Sequence, residues 1–199
     1  MFIRTILLAT LVLVCGGTAM AQRRGPSPDF WSRVSCEPLE PRTKLEALED
    51  QHGTVIFKGF TRITTVGVRA VDIFAIEMRD VGNAASRAKG IVVRVSDLSE
   101  SGPRSTDAFI DYNEIDPLLN AIDVISGVDE TATKLVGFEA KYRTLGDLEI
   151  SVFRQTRSGT AVAIRTGICE QSTGTLTLDD LAKVRAMIQE AKTRLDEIR

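Results

Sequence analysis

The sequence has few of the residues from which metal centres and nucleophilic sites are usually built. It contains one histidine, His52, and three cysteines in 199 residues. A zinc site usually needs several histidine or cysteine ligands, so a lone histidine argues against a metal site. The chain has no G-x-S-x-G elbow and no glycine-rich phosphate loop, which are signals of an α/β-hydrolase and of a nucleotide site. We therefore predict no catalytic residue, no metal and no cofactor.

The sequence also lacks an excess of charge of either sign. Arginine and lysine together number 25, and aspartate and glutamate together number 27. Domains that bind nucleic acid usually carry a basic excess, so this balance argues against nucleic acid as the partner. After the first twenty residues, no apolar run reaches the roughly twenty residues that a membrane-spanning helix needs. We therefore predict no transmembrane segment in the mature chain.

The first twenty-one residues have the three parts of a cleavable signal peptide. Arg4 is their only charged residue, an apolar run covers 6–14, and Ala19-Met20-Ala21 matches the A-x-A cleavage pattern. A lipoprotein acylated at Cys15 is the alternative, which is disfavoured because Val14, rather than a small residue, precedes that cysteine. The sequence therefore predicts export to the periplasm or the cell exterior, with cleavage near Ala21.

Two cysteines, Cys36 and Cys169, lie outside the predicted signal peptide. Because an exported protein meets oxidising conditions, the simplest prediction is one disulfide between them. That bridge would tie the N-terminal segment to the second half of the domain. Two free thiols are the alternative, since the sequence does not give the distance between the two residues.

The second half of the chain has the clearest pattern of secondary structure. Apolar and polar residues alternate in three runs, which is typical of half-buried strands. The apolar positions are Phe138, Ala140 and Tyr142, then Leu148, Ile150 and Val152, then Val162 and Ile164. A fourth short strand is predicted near 173–176, and Thr177 with Asp180 then predicts a capping box. A helix follows to the C-terminus, predicted from the spacing of Leu181, Val184, Ile188, Ala191 and Leu195.

The first half repeats this order of elements. Val71 and Ile73 match Ile150 and Val152, Ile91 and Val93 match Val162 and Ile164, and Ile110–Ile115 matches Leu176–Leu181. The offset between the copies shrinks along the chain, which predicts longer polar loops at 79–90 and 97–106 in the first copy. Two unrelated meanders are the alternative to duplication.

The pattern predicts an α+β fold in which two tandem ββββα repeats form a mainly antiparallel sheet system with the helices packed on it. The first repeat covers about 53–127 and the second about 134–199. Residues 22–52 form an N-terminal lead segment, with one short helix within 41–51 that carries Leu45 and Leu48 on a common face.

This order of elements resembles the repeated ββββα architecture of Whirly-type and PUR-type nucleic-acid-binding domains. The resemblance is one of topology and carries no sequence motif of those families. It implies a single-stranded nucleic-acid binder, whereas the predicted export argues against that function. Fold alone does not imply function.

One set of residues is predicted to form a binding face on the sheets. If the alternating apolar residues face the helices, aromatic and cationic side chains share the opposite face of each repeat. These residues are Phe74 and Arg94, with Arg62, in the first repeat, and Lys141, Phe153 and Arg165 in the second. Paired rings and cations could stack on and neutralise a flat or anionic ligand. The alternatives are a solvated sheet face and a face that forms a homodimer through its phenylalanines.

Three functions remain open at this point. The first is an exported, non-enzymatic binding or interaction module for an unknown protein or a small anionic or aromatic ligand. The second is an enzyme with its site in the long first-repeat loops, using Asp80, Arg87, Asp97 or Glu100. The third is a single-stranded nucleic-acid binder, suggested by topology alone.

Overall fold

Eight strands and three α-helices follow one another in a computed structural model that describes residues 40–64, 68, 70–99, 102–129, 131–155 and 159–198. The strands are β1 Ile56–Ile63, β2 Val71–Asp80, β3 Arg87–Ser99, β4 Gly102–Asp111, β5 Glu139–Arg143, β6 Glu149–Gln155, β7 Gly159–Thr166 and β8 Ser172–Leu176. The helices are α1 Lys44–Glu49, α2 Ile115–Ser126 and α3 Leu178–Asp196, and one 3₁₀ turn, Tyr112–Glu114, precedes α2. None of these three helices is long and apolar enough to cross a membrane.

The strands form two antiparallel sheets, each followed by a helix. The first sheet has the order β1-β2-β3-β4 and the second the order β5-β6-β7-β8, so every strand pairs with its neighbour in the chain. The predicted α+β fold with two ββββα units is confirmed. The predicted signal peptide and Cys36 lie outside the described residues. Cys169 takes part in a disulfide, and its pairing with Cys36 stays a prediction.

The capping box predicted at the start of α3 is confirmed, whereas the start of α2 has no side-chain cap. Asp180 donates its backbone N–H to the Thr177 side chain, and its carboxylate accepts in return from the Thr177 backbone. The same box joins Thr43 and Glu46 at the start of α1. Each box satisfies N–H groups that the first helical turn leaves without partners.

One hydrophobic core joins the inner faces of both sheets to α2 and α3. Of the predicted strand and helix positions, Phe138, Ala140 and Tyr142 are half-buried against this core. The others are buried in it: Val71, Ile73, Ile91, Val93, Ile110, Leu148, Ile150, Val152, Val162, Ile164, Leu181, Val184, Ile188, Ala191 and Leu195. Each helix packs mainly on the sheet of the other repeat, because α3 lies chiefly on β2 and β3 and α2 chiefly on β5 and β6. The two repeats therefore cover each other's apolar faces.

The two sheets also meet directly through backbone. The carbonyl oxygen of Phe109 in β4 lies so near Gly146, in the β5–β6 turn, that a Cβ there would be 1.8 Å from it. Further along, Thr106 and Thr166 exchange hydrogen bonds, each hydroxyl donating to the carbonyl oxygen of the other residue at 2.9 Å. The contact between the repeats is therefore a close backbone approach as well as an apolar core.

The long polar loops expected at 79–90 and 97–106 are shorter than predicted, because strands occupy half of the first segment and most of the second. Arg79 pairs with Arg87 across the β2–β3 hairpin, and Asp97 pairs with Arg104 across the next one. Charged, polar and small residues occupy most positions of both hairpin ends. The alternation of apolar and polar residues that marks a half-buried strand is therefore missing.

Candidate functional site

The outer face of the first sheet is divided between a helix and an open groove. Helix α1 covers one part, where the buried Leu45 and Leu48 pack on Ile76, Met78 and Ala88. The predicted position of this helix and of its two leucines on a common face is confirmed. Since α1 is short, it leaves the neighbouring rows of the sheet uncovered.

Two features of the sheet position α1 on its outer face. Gly90 in β3 leaves space for it, because a Cβ there would lie 2.8 Å from Leu45 Cδ1 and 2.1 Å from the carbonyl oxygen of Ile110. The carboxylate of Asp111 accepts hydrogen bonds from the backbone N–H groups of Lys44 at 2.9 Å and of Leu45 at 3.2 Å. An acid at the N-terminal end of a helix satisfies free N–H groups there and interacts well with the helix dipole.

Beside α1 lies a shallow pocket of about 190 Å³, here called the phenylalanine groove. It is lined by Lys58, Phe60, Phe74, Val92, Arg94 and Phe109, together with Ile76 and Asp107. The pairing register explains the grouping, because Arg62, Phe74, Val92 and Phe109 form one row across β1, β2, β3 and β4. Residues in such a row project from the same face of the sheet.

Aromatic rings form the apolar part of the groove. The Phe60 and Phe74 rings meet edge to face, with centroids 6.3 Å apart and planes at 75°. Phe60 is 67% exposed, whereas Phe74 and Phe109 are half-buried against the cluster beneath α1. A large aromatic side chain that stays this exposed on a sheet is a frequent feature of contact surfaces.

Two cations stand over these rings. The Arg94 guanidinium carbon lies 5.4 Å from the Phe74 ring centroid, and Lys58 Nζ lies 5.9 Å from that of Phe109. Asp107 binds Arg94 through both oxygens at 2.7 Å, and these hydrogen bonds raise the pKa of Arg94. Arg94 is thus held in place with its charge beside an apolar ring.

The structure brings Phe74 and Arg94 together and places the other three predicted residues elsewhere. Lys141, Phe153 and Arg165 lie on the outer face of the second sheet, where Arg165 forms an ion pair with Glu149 at 2.7 Å. Glu149 stands four residues from Phe153 in β6, about 13 Å along the strand at ~3.3 Å per residue. Arg165 is therefore not beside Phe153 as Arg94 is beside Phe74.

The difference arises from strand register. Arg94 is opposite Asp72, and Arg165 is opposite Glu149. If Arg94 and Arg165 are taken as equivalent positions of the two repeats, the residue equivalent to Phe74 is Ser151. Ser151 lies two positions before Phe153. Ser151 is fully buried.

Sequence reasoning missed Lys58, Phe60 and Phe109. Phe109 stands between Ala108 and Ile110, which face the core. Its place between two apolar residues of a strand could have indicated that its ring projects from the outer face. Strand β1 shows no alternation, because its residues other than Ile63 are exposed or half-buried. Its contribution to the groove depends on its pairing with β2, which the sequence does not show.

The acidic residues considered for an enzyme site hold the structure together. The Thr54 hydroxyl and the Gly82 N–H donate to Asp80, and the Thr54 bond above all lowers the pKa of that carboxyl group. The Thr173 N–H and then Arg104 likewise lower the pKa of Asp97. Arg87 pairs with Glu77 at 2.6 Å, and Glu100 lies outside the described residues. Across the described ranges, no three histidine, cysteine or acidic side chains are grouped so that they could hold a metal ion.

Comparison with known proteins finds no matching family model, no similar curated protein and no similar solved structure.

Proposed function

We propose that the chain is an exported, non-enzymatic binding module whose ligand site is the phenylalanine groove. The observation that carries the proposal is the meeting of Phe60, Phe74 and Phe109 with Lys58 and Arg94 on an open sheet face. Such a surface suits a flat apolar or aromatic group that bears a negative charge, because the rings supply apolar contact and the cations supply attraction.

The size of the groove limits what it can hold. Pockets for drug-sized ligands usually measure about 300–1,000 Å³, whereas this groove measures about 190 Å³. It therefore suits a single ring or one amino-acid side chain. Burial of the exposed part of Phe60 and of a matching ring would favour binding at about 25 cal/mol per Å² of apolar surface.

Export is part of the proposal and rests on the N-terminal sequence. The charged start, the short apolar run and Ala19-Met20-Ala21 favour a periplasmic or secreted product. A Cys36–Cys169 disulfide would suit the same compartment, and Cys169 is disulfide-bonded. The proposed mature protein, residues 22–199, is the material for the experiments below.

The test uses 8-anilinonaphthalene-1-sulfonate, a fluorescent probe that combines aromatic rings with an anionic group. We expect Phe60→Ser to weaken probe binding about tenfold, which corresponds to ~1.4 kcal/mol of lost apolar contact. Arg94→Gln should weaken it about threefold to tenfold, since a cation–π contact contributes ~0.5–1 kcal/mol at an exposed site and attraction to the sulfonate adds to this. Both residues project from the sheet, so the thermal midpoint should change little.

Matched controls separate the groove from general surface effects. Leu98→Ser removes an apolar side chain that is 86% exposed on the same sheet. Arg185→Gln removes the arginine of a two-bonded pair between Arg185 of α3 and Asp123 of α2, which resembles the Arg94–Asp107 pair. Both controls should bind the probe as the parent does. Equal probe affinity in the parent, Phe60→Ser and Arg94→Gln would exclude the groove as the site.

A further inference from the structure

Strand β1 forms an open edge of the first sheet. It pairs with β2 on one side, and no other strand of the described residues pairs with it. Val55, Phe57 and Phe60 on or beside it are more than half exposed. An edge strand presents unpaired backbone N–H and C=O groups to which a further strand can bond.

The other edge strands, β4, β5 and β8, contact further elements in the described part of the chain. β4 contacts β7 and β8, and Thr106 in β4 bonds with Thr166. β8 packs against β3, and α2 packs against β5. The edge of β1 differs from these in its exposed aromatic side chains, Phe57 and Phe60, and is the one that adjoins the phenylalanine groove.

This edge adjoins the phenylalanine groove. Lys58 and Phe60 belong to β1 and also line the groove. Because the groove holds about one side chain, the rest of a larger ligand would continue past it. An extended polypeptide beside β1 could place one side chain in the groove and form backbone hydrogen bonds along the strand.

The charges on β1 indicate the sequence of such a polypeptide. Lys58, Phe60 and Arg62 alternate along the strand and share its outer face, and β1 contains no acidic residue. Lys58 pairs with Glu49 and Arg62 with Asp72, but these ion pairs are exposed and such pairs contribute little. A second copy paired through β1 would double the cations on the outer face without adding a carboxylate to either strand.

We propose that the ligand is an extended segment of another protein with the pattern Glu-x-Phe-x-Glu, which adds antiparallel to β1. The aromatic residue lies opposite Phe60 and enters the groove, and the two acids lie opposite Lys58 and Arg62. Cross-strand pairs of aromatic residues and of opposite charges are the pairs that stabilise a sheet. This assignment rests on the proposed function of the groove.

The probe is the capped, fluorescently labelled peptide Thr-Glu-Thr-Phe-Thr-Glu-Thr, titrated against residues 22–199 by anisotropy. We expect binding, and binding at least tenfold weaker when lysine replaces both glutamates. Two isomers carry N-methyl groups on alternate amides. Because alternate residues direct their backbone groups to opposite edges of a strand, one isomer should fail to bind and the other should bind.

Hydrogen exchange of residues 56–63 supplies the direct readout. Peptide binding should slow exchange at alternate amides of β1, and Phe60→Ser should remove both binding and protection. Equal binding of both N-methyl isomers, or unchanged exchange in β1, would overturn strand addition. The groove itself would still stand if the anilinonaphthalene probe remained sensitive to Phe60.

Two other outcomes would overturn the assignment of a peptide ligand to β1. Failure of the peptide to bind at millimolar concentration would overturn the inference, while the small anionic probe tests the groove separately. A dimer in sedimentation that Phe60→Ser dissociates would assign the edge to a second copy and overturn the peptide assignment.

Discussion

Gly146→Ala tests whether the repeats depend on their close backbone contact. A Cβ at this position would lie 1.8 Å from the carbonyl oxygen, 2.8 Å from the carbonyl carbon and 3.1 Å from the nitrogen of Phe109. Gly146 does not have a left-handed backbone conformation, so alanine meets a steric obstacle and no backbone strain. To bring the new Cβ to 3.0 Å from the carbonyl oxygen, the backbone of β4 and that of the β5–β6 turn would have to move apart by about 1.2 Å.

The expected loss of stability follows from the usual cost of overpacking. Overpacking of a well-packed interior costs about 1–3 kcal/mol, and we expect the upper end because neither side of this contact is a movable side chain. For a domain of this size, 1 kcal/mol changes the thermal midpoint by ~2–4 °C. Gly146→Ala should therefore lower the free energy of unfolding by about 3 kcal/mol and the midpoint by ~6–12 °C.

Urea and thermal unfolding followed by circular dichroism measure the effect. Gly137→Ala is the matched control, because a Cβ there meets nothing within 4 Å. It should unfold at the parent's midpoint or slightly above, since alanine restricts the unfolded chain. If Gly146→Ala were as stable as Gly137→Ala, the close approach of β4 to this turn would be refuted.

Two further predictions concern α1 and the segment that joins it to β1. Leu45→Ala should lower the free energy of unfolding in urea by ~2–5 kcal/mol, because it empties a fully buried site between α1 and the sheet; the exposed Leu98→Ala should have almost no effect. Asp80→Asn should alter the pH dependence of stability, because the Thr54 hydroxyl holds the pKa of Asp80 below its ordinary value. The carboxylate stabilises the fold above pH ~4 and loses this effect as the pH falls through its folded pKa. Urea unfolding at pH 7, 5 and 3 should thus show a steeper loss at low pH for the parent than for the variant, and parallel curves would contradict the assignment.

The fold was predictable where apolar side chains that face the core alternate with polar ones along an element. Such elements keep a regular spacing of apolar residues, as in Ile150 and Val152 of β6 or Leu181 and Val184 of α3, and these positions are buried. Where charged, polar and small residues occupy most positions of a strand, this spacing disappears. This explains why the hairpin ends around Arg87 and Asp97 were predicted as loops.

The candidate site was predictable only in part for a related reason. Phe74 and Arg94 stand on adjacent strands that both carry clear alternation, so their common face could be inferred. Phe60 and Phe109 reach the same groove through pairing with β2 and β3, and pairing register is a property of tertiary structure. The same dependence on register separates Phe153 from Arg165.

Each helix packs on the sheet of the other repeat, and this arrangement affects the order in which the chain can fold. The inner face of β2 and β3 is closed by α3, which follows all eight strands in the sequence. During synthesis from the N-terminus, the apolar face of the first sheet stays uncovered until α3 has been made. This takes more than sixty further residues after α2. Contacts between distant parts of a chain form slowly, so this interval is when the nascent chain is most exposed to wrong association and would gain most from a chaperone that holds it extended.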